Sequence, residues 1–264
     1  APKPAAVEEP QQKDKKKPGE PEEDEEDDEV EDWNPGPEHR HGNWRVLGLR
    51  HEPRTNRPLI APTHLAGAAR ATALTGRIVR LNGRPIANVP VRVGTLSTQT
   101  DAQGRFLLSG VPQGSQVLFV DGSRAQRAGR SYLSHYVRVE VAKGKTTRLG
   151  EPIYLAREDR ANAVSFPSPT TSEVVVTHPA MPGLELRIPK GAVLRTPDGK
   201  VVTKLSITPL PVNRAPFPVP MGFPVYFSVQ PAGVFVDNSG SAEIRGIKVL
   251  YPNYIDAPPG TRVV

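Results

Sequence analysis

Proline and glycine cut this chain into short pieces from residue 73 onward, and within each piece apolar and polar residues alternate. The stretch TGRIVRLNGRPIANVPVRVGTLSTQTDAQGRFLLSGVPQGSQVLFVDG (75–122) shows the pattern. Turn residues recur every eight to twelve positions, and the pieces between them have period two, which is the signature of a sandwich or barrel of short strands. With 30 Pro and 23 Gly in 264 residues, long helices are not expected. Asn82-Gly83 suits a tight hairpin. Val89, Val91 and Val93 then alternate with Pro90 and Arg92, giving one apolar and one wet face.

The stretch DAQGRFLLSGVPQG (101–114) admits two readings. Asp101, Gly104 and Arg105 resemble a polar ligand site. They also serve as a turn, with Asp101 accepting backbone N–H groups, Gly104 left-handed, and Phe106 and Leu108 on the core face of the next strand. A phosphate cradle needs glycines leading into a helix, and a strand follows here, so the scaffold reading is preferred.

Charge is unevenly distributed. Residues 1–32 hold five Lys and fourteen Asp or Glu, a net −9, so a chain of net +6 leaves +15 on the rest. The segment has too few apolar residues to offset the entropy of folding and reads as a disordered charged tail. The basic remainder has scattered Arg residues, 6% aromatics and no helix-turn-helix or zinc-finger spacing, so no nucleic-acid partner is expected. No apolar run is long enough to span a membrane, and the absence of cysteine excludes disulfides and thiolate metal sites. The start at Ala1 without a signal core suggests a processed protein or an excerpt.

Residues 33–72 form an irregular adapter rich in Pro, Gly, His and Trp, in which Trp44 and Val46 to Leu49 are expected to lie against another surface. His39, Arg40 and His41 lack a completing ligand shell, so no metal site is assigned. Residues 73–155 form a first β-sandwich and 156–173 a linker. Residues 174–264 form a second β-sandwich module, read as truncated at its C-terminus. There Leu184, Leu186 and Ile188 are matched by Val202, Leu205 and Ile207, Pro197-Asp198-Gly199 turns a hairpin, and the prolines from 209 to 220 mark a loop or edge. The fold class expected is all-β: two antiparallel sandwiches in tandem after the charged tail.

The series TGRIV, NGRPIANVPVRV and TQTDAQGRFLLSGVPQGSQVLFVDG resembles the carboxypeptidase regulatory-like (transthyretin-like) domain. That resemblance implies a seven-stranded antiparallel sandwich without catalytic residues, usually attached to a larger extracellular protein. Self-crosslinking relatives need a Lys in the first strand, and Arg77 to Leu81 has none. The later stretch SPTTSEVVVTHPAMPGLELRIPKGAVLRTPDGKVVTKLSITPLPVNRAPFPVPMGFPVYFSVQPAG, with VLYPNYIDAPPGTRV, resembles the segment preceding the shell of bacterial RHS-repeat proteins, the polymorphic-toxin-type relatives of teneurins. LELRIPKGAV within it also resembles a ZU5-type sandwich. No series of tyrosine-aspartate repeats follows in this chain, so toxicity is not carried over to it.

No H-E-x-x-H, G-x-S-x-G or phosphate-binding loop is present. His135 beside Ser131 and Ser134 has no nearby Asp to orient it and reads as a surface strand histidine. His178 precedes Pro179, where self-cleaving ZU5 relatives carry a small nucleophile. No catalytic, cofactor or metal residue is assigned. The resemblance implies a non-catalytic structural module of an exported bacterial RHS-repeat protein, an entrance plug or docking element for a β-shell enclosing a C-terminal effector, its partner being the rest of its own polypeptide. The alternative is a cell-surface adhesive or carbohydrate-binding module with Tyr132, Tyr136, Tyr251 and Tyr254 as stacking faces.

Overall fold

The computed structural model describes residues 33, 35, 65–68, 70–125, 130–217, 226–237, 246–253 and 258. The expectations for the tail 1–32, for His39, Arg40 and His41, for Trp44 and 46–49, and for Tyr254 lie outside the described residues. What is described is all-β, with two short 3-10 turns as its only helical elements.

The first sandwich comprises β1 (Ala73–Arg80), β2 (Pro90–Val93), β3 (Leu96–Gln99), β4 (Arg105–Ser109), β5 (Gly114–Val120), β6 (His135–Val141), β7 (Thr146–Arg148) and β8 (Ile153–Leu155). One sheet runs β4-β1-β7, with β8 also beside β1; the other runs β3-β2-β5-β6. The sheets are antiparallel as expected, except that β7 and β8 run parallel to β1. The chain crosses over after β6 instead of turning back on itself, and only such a crossover can bring a parallel strand alongside. Phe106, Leu108, Val91, Val93, Leu118 and Val120 are buried between the sheets, as the alternation requires.

The turn at 101–105 shows why the motif has its residues. Asp101 Oδ1 accepts the N–H groups of Gln103 (2.9 Å) and Arg105 (2.8 Å). Gly104 has φ +72°, and a Cβ there would lie 2.3 Å from the Ile78 carbonyl oxygen. Only glycine meets both constraints.

The second module contains β9 (Val164–Ser165), β10 (Val174–Val176), β11 (Glu185–Ile188), β12 (Leu194–Arg195), β13 (Val201–Val202), β14 (Lys204–Leu210), β15 (Tyr226–Gln230), β16 (Phe235–Val236) and β17 (Lys248–Leu250). They form three small sheets, β10-β11-β17, β13-β12-β16 and β15-β14-β9, around Leu184, Leu186, Ile188, Val202, Leu205 and Ile207. Residues 156–173, expected as a linker, depart from that reading. They supply β9, which pairs with β14, and Phe166, which is buried in this second core. Pro209, expected in a loop or edge, lies within β14 opposite Phe227. Strand β9 covers β14 only at Lys204 and Leu205, so the proline faces an open edge on its other side.

Strand β1 is buried on both faces. Leu74 and Ile78 enter the first core, while Val79 and, just beyond the strand, Leu81 enter a third cluster with Leu133, Tyr154, Ala156 and Leu210. Leu210 comes from the second module, and Tyr226 and Trp33 pack against the same cluster. Arg214 is fully buried beside it, donating from Nε to the Leu81 carbonyl (3.2 Å) with its guanidinium 5.6 Å from the Tyr154 ring centroid. The two modules therefore share a core.

Candidate functional site

On the polar side of that joint the two modules enclose a cleft of about 1190 Å³. One wall is the outer face of the β3-β2-β5-β6 sheet. Its neighbours in sequence, Val91, Val93, Leu118 and Val120, point into the core, so alternation turns Arg92 and Phe119 outward. Register then lines up Ser97, Arg92, Phe119 and Tyr136 as one row across four strands. The Arg92 guanidinium sits 4.6 Å above the Phe119 ring, and the Phe119 and Tyr136 centroids are 4.6 Å apart at 36°.

The opposite wall belongs to the second module. Gly233 (φ +70°) backs onto Tyr136, where a Cβ would lie 2.7 Å from Cε2 and 3.0 Å from Pro197 Cγ. The floor is a hydrogen-bonded seam. Gln230 Nε2 donates to Ser134 O (2.9 Å) and its Oε1 accepts from Ser134 N (3.3 Å), so a side-chain amide completes the ladder where β6 begins. Ser206 donates to Glu158 Oε1 (3.1 Å), Ser131 to Glu158 Oε2 (3.2 Å) and Ser123 to Asp121 Oδ1 (2.6 Å).

The residues weighed for catalysis do not converge. His135 is buried, not on the surface, which corrects the expectation: it stands opposite Val120 on the face of β6 that also carries Val137, Val139 and Val141, so alternation turns it into the first sandwich. Its Nε2 is buried without a hydrogen-bond partner, and burial pushes its pKa down to about 4. The Ser131 and Ser134 hydroxyls bond to Glu158 and Asp121 instead. His178 does have a carboxylate, with Nε2 2.8 Å from Asp159 Oδ2, yet Nδ1 accepts the Ala180 N–H (3.1 Å), so both ring nitrogens are committed and no lone pair is free to act as a base. Burial would raise the Asp159 pKa, but hydrogen bonds from Asn162 and His178 outweigh it and hold it below its ordinary value. Arg105 bridges Asp101 at 2.7 Å, and the pair is spent on its own turn. Among the described residues there is no group of three or more His, Asp or Glu placed to hold a metal, and no helix long and apolar enough to cross a membrane.

The stacking faces fare no better. Tyr132 is 1% exposed, which removes it from the surface set. Tyr136 is covered by Gly233, and Tyr251 is half-exposed and stacked 6.2 Å from Phe227. The cleft, the Asp159–His178 pair and the shared core were all missed by sequence reasoning, because each joins residues from separate turns of the chain.

Residues 73–151 match the carboxypeptidase regulatory-like domain. The first sandwich, which these residues span, is similar to that domain. No curated protein matches the chain. Among solved structures, an interface mutant of a type II cohesin–X-dockerin complex from Acetivibrio cellulolyticus is similar at 23% identity over 33% of this chain and 59% of that one, with a TM-score of 0.26. The Bacillus anthracis TIE protein is similar at 14% identity over 70% of this chain and 29% of that one, with a TM-score of 0.26. A streptococcal ancillary pilin is similar at 9% identity over 70% of this chain and 59% of that one, with a TM-score of 0.28. The chain thus spans less than two thirds of each of these proteins.

Proposed function

We propose that the chain is a non-catalytic structural module that holds neighbouring parts of an exported bacterial RHS-repeat-type protein at a fixed angle, as a plug or docking element of its β-shell. The observation that carries the structural part is the shared core: Leu81, Leu133, Tyr154 and Leu210 are each at most 3% exposed, although they come from both modules. Two domains on a linker would leave such residues wet, whereas burying them ties the stability of each sandwich to the other. The match of residues 73–151 to a domain family implied to be non-catalytic supports the reading, as does the committed His178 ring. The RHS setting rests on the sequence resemblance of 168–263. The burial of Tyr132 weighs against the carbohydrate-binding alternative, while Tyr251 keeps an exposed face.

Hydrogen exchange during urea unfolding tests the coupling. Amides of β5–β6 and of β14–β15 should lose protection at one common midpoint in the wild-type chain. In Leu81→Ala, which should cost about 2 to 5 kcal/mol, the two sets should separate. Separate wild-type midpoints would remove the rigid-module reading. Tandem tyrosine-aspartate repeats encoded beyond Val264 would support the RHS setting; retention of the chain on a glycan array would favour the alternative.

A further inference from the structure

Cations outnumber carboxylates around the cleft. Two of its three carboxylates, Asp121 and Glu158, are sunk to 17% exposure and satisfied by serine hydroxyls, by Arg124 at 3.3 Å and by Arg160 at 2.7 Å, and the third, Asp198, is 48% exposed and paired with Lys200 at 2.7 Å. The cations stand outward: the Arg124, Arg160 and Lys200 side chains are 74%, 62% and 77% exposed, and Arg92 and Lys204 are exposed at the same mouth. These contacts leave donors over, because a carboxylate contact, a ring face or, for Arg160, one carboxylate and the Ser131 hydroxyl does not use up an ammonium or the five N–H groups of a guanidinium. A groove with five cations at its rim against three carboxylates, each already paired with one of those cations, selects an extended anionic chain.

We propose that the cleft is a binding site for acidic polypeptide and that its resident occupant is the chain's own segment 20–32, EPEEDEEDDEVED. Eleven of these thirteen residues are Asp or Glu. The next residue, Trp33, is fixed in the joint, packed against both the second and third cores, and Pro35 is buried. The third core includes Leu210, four residues along β14 from Ser206 on the cleft floor, a distance of about 13 Å at the rise of a strand. Thirteen extended residues reach about 40 Å, so the tether spans that distance with length to spare. Anchoring at Trp33 also makes the encounter intramolecular, which raises the effective concentration of the segment to the millimolar range.

The absence of native cysteine makes a single spin label at Glu26→Cys unambiguous in the full chain. At about 20 mM salt the amides of Thr98, Lys200 and Lys204 should lose more than half their NMR intensity relative to the reduced label, and recover at about 0.5 M salt, where screening shortens the field to a few ångströms. In Arg92→Glu/Lys204→Glu, both exposed positions, the broadening should fall severalfold while the dispersion of buried residues such as Phe106 is kept. Unaffected cleft amides at low salt, broadening spread evenly over the basic surface, or the same pattern in the charge-reversed variant would each overturn the proposal. None of these outcomes bears on the shared core, so the site and the rigid-module reading stand or fall separately.

Discussion

The two sandwiches solve the same problem differently. Among the described residues, the first buries eighteen in one core and leaves two hydrophobics partly exposed against it; the second buries eleven and leaves nine partly exposed. Strand length explains much of this. Strands β1, β5 and β6 have seven or eight residues, enough to carry three or four side chains into one core, while β9, β12, β13 and β16 have two. At β17, Val249 stands opposite buried Leu186 yet is 52% exposed, so the core face of the second module is open at that edge. The first sandwich closes on itself. The second gains its closure from the joint, from Trp33 and from the segment before β10.

The largest effect should come from the closed core. Phe106 is fully buried between sheets, and Phe106→Ala should cost on the order of 3 to 5 kcal/mol, because the ring's neighbours cannot collapse into the space it leaves. Phe227, partly exposed in the second module, should cost less than about half as much on the same truncation. Urea midpoints at constant m-value measure both. Equal losses would show that the second core is as closed as the first and would break the comparison.

A second prediction concerns a histidine on the core face of the first sandwich. His135 is buried without a partner for Nε2 and its pKa is depressed to about 4 from 6.5, so the unfolded chain binds more protons between those values. Its neutral form contributes fully above pH 6.5, and that contribution is lost as pH falls through 6.5 towards 4. The loss amounts to about 3 kcal/mol at the lower limit. Asp101 and Asp159 have depressed values, so their contributions are lost only at lower pH, as it falls below 3.8. Stability measured at pH 7.5, 5.5 and 4 should therefore slope in the wild type and be nearly flat in His135→Leu. A wild-type slope that survives the substitution would assign the acid sensitivity to another group.

Much of each core is legible in the sequence, since alternation states which side chains share a face: Phe106 with Leu108, Leu184 with Leu186 and Ile188. Alternation does not state what lies beyond a face. Alternation sets Val79 and Leu81 on the face of β1 opposite Ile78, but only the fold shows Leu210, some 130 residues later, placed against them. The 156–173 segment looks like a linker because its composition is that of a loop, and the two residues of β9 are too few to show a period. His135 reads as a surface residue because its polarity outweighs its place in the alternation, which puts it on the same face of β6 as Val137, Val139 and Val141. The cleft is assembled from β2, β3, β5, β6, the 196–200 hairpin and the end of β15, and only the order of strands brings these together.

The smallest expected effect tests the motif that looks most like a site. Arg105 lies next to Phe106 in β4, yet its side chain faces out, 27% exposed, with Nε 2.8 Å from Asp101 Oδ2 and Nη2 3.2 Å from Gln103 Oε1. The turn does not need that side chain, because Asp101 Oδ1 holds the backbone N–H groups of Gln103 and Arg105 whatever residue stands at 105. Arg105→Ala should therefore cost under about 1 kcal/mol, as exposed ion pairs do. Asp101→Ala, which frees two backbone donors, should cost about 1 to 2 kcal/mol. If Arg105→Ala matched Phe106→Ala in denaturant midpoint, the outward face of β4 would be carrying a load that its neighbours do not account for, and the division between a core face and a wet face in the first sandwich would have to be redrawn.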